Sequence, residues 1–318
     1  MTVYNTDINA ADLAGNIPVE IATEIWESVP SVAGVAGSAV FAKARRISDM
    51  SSKTKTRAVT DLLPIAYFRA AGAIAQTTEQ KWKDVTMTAE ELDVIVPVEL
   101  TAFDDSNQPV WDMVKPRIIE AVGAAIDAAL LYGTGIPASW TTALGGVAGG
   151  IAGRCAGASG NTVSLAAFDD IYAAVNDDGG LLAKIEADGY MNTGAIAHTA
   201  VKGKIRGARD ANGQPLFPGG EIDGVPVTYP LNGAIAATPY MIAGQWSELL
   251  FSVRQDISWM IANQGVIQDG NGAIQYNLFQ QRMIALMVTF RAGVALPNAV
   301  NAIEPTAANR CPFATLTA

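Results

Sequence analysis

Histidine is almost missing from this 318-residue chain: His198 is the only one. Any Ser-His-Asp triad or histidine ligand set would have to use that residue, and a hydrogen-bonded histidine at a strand end is the expectation for it. Cysteine is nearly as scarce, with only Cys155 and Cys311, so there is no disulfide framework. Neither the two cysteines nor His198 has the close paired spacing of a metal site, and no metal or cofactor is expected. Charge is sparse too, at 16% of residues, and cations are the minority, 21 Lys and Arg against 31 Asp and Glu. A net charge of −10 excludes tight wrapping of nucleic acid, which depends on cations displacing counterions from phosphate. Apolar runs stop short of the ~18 residues of a membrane span. The opening MTVYNTDINAADLAGN has acids where a signal peptide needs bases, so the chain is expected to stay in the compartment where it is made. Repeats and heptads are absent.

Small apolar residues fill that space. Half the residues are hydrophobic, 30 are Gly, and the length suits about two globular domains. So low a charge fraction implies a surface largely covered by something other than water, and partner subunits are the simplest cover.

Catalytic signatures do not emerge. The stretch Gly145-Gly-Val-Ala-Gly-Gly-Ile-Ala-Gly153 has neither phosphate-binding register and reads as a flexible connection. The adjacent acids Glu90-Glu91, Asp104-Asp105, Asp169-Asp170 and Asp177-Asp178 suit caps and turns, since neighbours in sequence do not converge on one face. Bases cluster at Lys43, Arg45, Arg46, Lys53, Lys55 and Arg57, and again at Lys202, Lys204, Arg206 and Arg209. These clusters either pair with acidic faces of neighbouring copies or are solvated; interleaved aromatics for stacking on nucleic acid are missing.

Periodicity predicts a polar arm ending in a helix, with Ile21, Ile25 and Trp26 behind Pro18, and a strand over Ala39–Ile47. Two β-compatible runs, Arg57–Leu63 and Ile65–Arg69, flank Pro64 in a projecting hairpin, and Val85–Leu100 reads as one long strand whose Pro97 marks an edge or bulge. A long helix follows from Pro109 to Tyr132, capped by Asp104-Asp105-Ser106, with Val114, Ile118, Val122, Ile126 and Leu130 in one row and Gly133 as its stop. Pro116 is expected to kink or divide its first two turns. After a connection over 133–162 come short helices at Leu165–Val175 and Ala200–Ala208. Short strands are expected at Gly194–His198, Val225–Tyr229, Tyr240–Gly244 and Glu248–Val253, then one long strand from Tyr276 to Leu296.

That order resembles the Hong Kong 97 fold of tailed-phage major capsid proteins. The segment from Lys83 to Ser106 is similar to the family's strand leaving an extended loop, and Leu130-Leu-Tyr-Gly-Thr-Gly135 to its helix-ending motif. Arg209-Asp-Ala-Asn-Gly-Gln-Pro-Leu-Phe217, Ile222-Asp-Gly-Val-Pro-Val227, Met241-Ile-Ala-Gly-Gln-Trp246 and Arg282 to Pro297 resemble later segments, so the likeness spans most of residues 17–305. The resemblance implies an α+β fold with an N-terminal arm (1–48) and an extended loop (49–84). It implies a peripheral domain (85–140 and 275–318) with a spine helix about 109–132, and an axial domain (141–274).

It also implies a virion protein and no enzyme: a subunit that self-assembles as pentamers and hexamers into an icosahedral head, formed in the host cytoplasm around double-stranded DNA it does not read. Its partners would be copies of itself, with separate scaffolding, portal and decoration proteins. Few residues precede Ile17-Pro18, so a built-in scaffold is not expected, and Gln80 stands where some members carry a crosslinking lysine, so crosslinking is not predicted. Interface candidates are Ile25, Trp26, Arg45, Arg46, Arg57, Arg69, Lys81, Trp82 and Lys83. The alternatives are an encapsulin shell or a gene-transfer-agent capsid, and, remotely, an α/β enzyme using Asp169, Asp178 or His198.

Overall fold

The computed structural model describes residues 37–101, 110–157, 159–210, 212–217, 221–222, 224–236 and 238–318. The helix expected before Trp26 and the cap at Asp104-Asp105-Ser106 lie outside them. The described chain forms two compact units, each assembled from separated stretches: residues 91–122 (from 110 after the gap) and 255–291 in the first, and 37–90, 123–254 and 292–318 in the second.

The second unit opens with a helix, α1 (Ala39–Lys43), and a short strand, β1 (Arg45–Arg46), where a single strand was expected. Tertiary context overrides the β-compatible composition. Ser38 caps the helix by accepting the Phe41 N–H, and the buried carboxylate of Asp127 accepts the N–H groups of Ala39 (3.0 Å) and Val40 (3.1 Å). A two-stranded hairpin follows, β2 (Thr54–Leu62) antiparallel to β3 (Lys81–Thr88). Its second strand starts at Lys81; the Ile65–Arg69 run that was expected to be a strand is loop, since Pro64 and the turn at Ala70–Ala73 interrupt pairing. The next strand, β4 (Glu90–Glu99), is separate from β3: the chain breaks at buried Ala89, whose N–H turns to the Lys53 carbonyl.

The long helix, α2 (Val110–Tyr132), has 23 residues and so measures about 35 Å. It runs unbroken through Pro116, which sits in the second turn and forfeits only the bond to the Asp112 carbonyl. Of the predicted row, Ile118, Val122, Ile126 and Leu130 are buried, while Val114, nearest the start, is only half-buried.

Residues 133–162 are no loose connection. They hold α3 (Ala138–Ala143) and α4 (Gly150–Ala156) and lead into β5 (Thr162–Ser164). Gly133, at φ +71°, ends α2, and a Cβ there would lie 2.7 Å from the Gly149 Cα, so the glycines permit backbone to lie on backbone. Beyond lie α5 (Ile171–Asn176), α6 (Leu181–Ala187), β6 (Gly194–Ala197), α7 (Thr199–Gly207), β7 (Glu221–Ile222), β8 (Val225–Thr228) and β9 (Met241–Gly244). The helix expected over Leu165–Val175 is split, because Asp170 caps a new start by accepting the Ala173 N–H at 2.8 Å.

The last strand, β14 (Phe313–Thr317), pairs parallel with β5 and antiparallel with β9 inside a six-stranded sheet, β5-β14-β9-β6-β8-β7. Helices α5, α6 and α7 cover it around Ile171, Leu181, Ile185, Val201 and Ile205, against Met241 and Leu316.

In the first unit the chain continues as β10 (Leu250–Ala262), whose opening residues belong to the second unit, then β11 (Val266–Gln268), β12 (Ile274–Asn277) and β13 (Met283–Ala295). The single strand expected from Tyr276 is broken by the turn ending at Arg282, at φ 53°. The sheet order puts β4 at an edge, which accommodates Pro97 as expected.

Candidate functional site

Among the described residues, no catalytic or metal-binding cluster gathers. His198 caps α7, its Nδ1 accepting the Ala200 N–H at 3.1 Å, so it is held as a structural group. Asp169 and Asp178 are exposed and Asp170 is a cap, so the acids raised for the enzyme reading do not converge with it. Among the described residues no group of three His, Cys, Asp or Glu side chains fits a metal ion. No helix there is long and apolar enough to cross a membrane.

What the second unit does present is bare apolar surface. From Asp61 to Trp82 every residue is exposed, and the stretch carries Leu62, Leu63, Ile65, Tyr67, Phe68, Ile74 and Trp82. Phe68 is fully exposed, Ile74 89% and Trp82 63%. A run of that kind marks a binding surface, because a lone domain gains nothing from showing it to water. The hairpin is nonetheless shaped. Eight register pairs join β2 to β3, from Thr54 opposite Thr88 to Leu62 opposite Lys81, with a bulge after Thr60. Across its tip the Tyr67 hydroxyl donates to the Gln76 carbonyl at 2.6 Å and Arg69 donates to the Ala73 carbonyl at 2.8 Å. Near the outer end of the ladder Lys83 donates to the Asn298 carbonyl at 3.3 Å, and at its base the Trp140 indole donates to the Thr88 carbonyl at 3.1 Å.

Of the sequence candidates, Ile25 and Trp26 lie outside the described residues. Trp82, opposite Thr60, and Arg57, opposite Val85, are exposed on the hairpin. Lys81 is exposed beside Glu79 at 3.3 Å. Arg69 is spent on the loop's own turn. Lys83 is half-buried, 3.2 Å from Asp61, and serves its own subunit. Arg45 and Arg46 are exposed on β1, away from the hairpin in sequence, and Arg46 pairs with Asp49 at 2.9 Å. Sequence reasoning passed over Ile65, Phe68 and Ile74. Their signal was available: large apolar residues in a Pro- and Gly-punctuated stretch with no helix or strand period to bury them.

The first unit also carries exposed apolar side chains. Trp259, Met260 and Ile261 near the end of β10, Val266 on β11, Ile274 on β12 and Phe279 in the following turn are all exposed. None was singled out in the sequence.

Comparison with known proteins supplies the context for these surfaces. A family model described as the phage capsid family matches residues 15–306. No curated protein matches in sequence. A solved structure from Microbacterium phage Oxtober96 is 25% identical, with 98% of this chain and 99% of that chain covered and a TM-score of 0.78. One from Mycobacterium phage Bobi is 24% identical, covers 98% and 99%, and has a TM-score of 0.75. A chain described as the capsid of an empty GTA particle is 17% identical over 99% of both chains, TM-score 0.60. The last two show the fold alone, and it is the mixed helix-and-sheet fold the sequence resembles.

Proposed function

The chain belongs to the phage capsid family, and from that premise we propose how its parts build a shell. It is a major capsid protein with a Hong Kong 97-like fold, a structural subunit and no enzyme. In the proposed assembly, copies close into pentamers and hexamers, and these form an icosahedral head around double-stranded DNA. Residues 49–84 act as an extended loop reaching a neighbouring copy. Residues 85–140 and 275–318 would form a peripheral domain and 141–274 an axial one, except that the pairing of β14 with β5 and β9 supports moving that last strand to the axial side. Scaffolding, portal and decoration proteins are separate chains, and assembly takes place in the host cytoplasm. Enclosing DNA without reading it suits the net charge of −10.

The observation that carries the assembly reading is the hairpin's exposed apolar run, 61–82. Burying Phe68, Ile74 and Trp82 against a second copy would contribute roughly 1.5–3 kcal/mol per side chain. Repeated at every contact of a closed shell, that is enough to hold it.

The test is to express the full chain alone and with Phe68, Ile74 and Trp82 all changed to Ser, using negative-stain microscopy, size-exclusion chromatography and circular dichroism. Closed particles or discrete pentamers and hexamers are expected from the wild type. The triple variant should keep its circular dichroism and melting temperature and form no shells. Normal shells from the variant would remove the hairpin from the interface.

A further inference from the structure

The chain has two cysteines, 156 positions apart, and the fold brings them together. Cys155 lies in the last turn of α4 and Cys311 two residues before β14. Their sulfurs are 3.8 Å apart, and both side chains are fully buried. The backbone holds the pair in place. Asp188 accepts the Cys311 N–H at 2.8 Å and the Asn161 amide at 2.7 Å, and that same amide lies 3.3 Å from the Cys311 carbonyl. The Cys155 thiol donates to the Phe313 carbonyl at 3.3 Å. Just before, Arg310 is buried and spends its guanidinium on Asn298 and on the Glu304 carbonyl. A buried carboxylate and amide, Asp188 and Asn161, hold the Cys311 backbone, which fixes the second sulfur against the first.

We propose that Cys155 and Cys311 are a covalent modification site, a dithiol that closes to an intrachain disulfide and latches the last strand into the six-stranded sheet. The oxidant is a low-molecular-weight disulfide. One cysteine thiolate attacks a sulfur of that disulfide, releasing one small thiol and leaving a mixed disulfide on the protein. The second cysteine thiolate then attacks the protein-bound sulfur and releases the second small thiol. Two protein thiols become one disulfide, and one small disulfide becomes two small thiols.

In the closed fold neither sulfur is reachable, and burial pushes the Cys155 thiol well up, so the reaction proceeds through local opening of the segment around β14. The reducing cytoplasm keeps the pair as thiols; an oxidising exterior closes it. The ring so formed includes β5, β6, β7, β8 and β9, every strand of that sheet except β14 itself. A loop that long restricts the unfolded chain strongly.

The experiment is to incubate the full-length protein with oxidised glutathione, then digest it without reduction at acid pH. Peptides are mapped by mass spectrometry, free thiols counted, and melting compared with and without reductant. Expected are a Cys155–Cys311 linked peptide, a fall from two free thiols per chain to none, and a melting temperature higher by about 5 °C that reductant reverses. Cys155→Ser and Cys311→Ser should each lose the shift. If either fails to fold, the reduced and oxidised wild type still decide the matter. Persisting thiols after oxidant is added in mild denaturant, links between different chains, or a lower melting temperature on oxidation would overturn the proposal.

Discussion

A single carboxylate ties the start of the described chain to the long helix. Asp127 is buried in α2 and accepts four hydrogen bonds, from the Ser38 hydroxyl at 2.5 Å, the Asn232 amide at 3.0 Å and the two N–H groups that begin α1. Burial raises its pKa, and those four bonds oppose the rise. Asp127→Asn exchanges an acceptor for a donor facing donors, so it should destabilise the subunit by about 2 kcal/mol or more in denaturant unfolding. The pH dependence has a definite sign. A folded pKa above the unfolded one means the folded state binds the extra proton as pH falls, so Asp127 contributes stability on acidification through its raised pKa and withholds it at neutral pH. The gap between wild type and Asp127→Asn should therefore widen from pH 7 toward the ordinary aspartate value of about 4. A gap that narrows would mean the carboxylate is stabilised by its bonds more than it is penalised by burial.

At the scale of elements, the glycine-rich stretch after α2 shows what a sequence conceals. Gly149 and Gly150 both have positive φ, and Gly150 would bring a Cβ within 2.5 Å of the Leu130 carbonyl; Gly133 presses on the same backbone. Gly133→Ala should cost about 2 kcal/mol or more through strain and clash. Gly135→Ala, equally left-handed at φ +67° but with nothing within 4 Å, should cost only about 1 kcal/mol. Equal losses in thermal unfolding would remove packing as the reason for Gly133. In sequence both glycines looked like helix stop and flexible joint, because small residues signal conformational freedom and close approach alike. The long helix was legible because its row of Ile118, Val122, Ile126 and Leu130 recurs every four residues; β4 was legible only in part, since Pro97 pointed to an edge or a bulge while the break from β3 at Ala89 was not foreseen. Helix α1 was not, because its first N–H groups are satisfied by Asp127, 88 positions beyond Ala39, in addition to the local cap at Ser38. Trp82 was named as an interface candidate from its chemistry, whereas Phe68 and Ile74 carried only the weaker signal of large apolar residues with no period to bury them, and all three are exposed.

For the whole molecule, the proposed role of the hairpin in assembly predicts that it can be removed without unfolding the subunit. The hairpin tip adds no buried side chain between Asp61 and Trp82. Replacing residues 63–80 by a short turn should leave a soluble, cooperatively melting subunit that closes no shells. The C-terminal strand is the opposite case. Phe313, Ala314, Thr315 and Leu316 are buried, β14 has a partner on each edge, and Phe313 meets the Trp246 ring edge-on at 5.0 Å. Removing residues 311–318 would strip the sheet of an interior strand, leaving β5 and β9 with bare edges and Trp246 and Met241 without their cover. The truncated chain should aggregate or melt without a cooperative transition in calorimetry. If it instead gave a stable subunit and closed shells, the sheet would have to re-pair without β14, and the stability assigned to the latch between Cys155 and Cys311 would have nothing to hold.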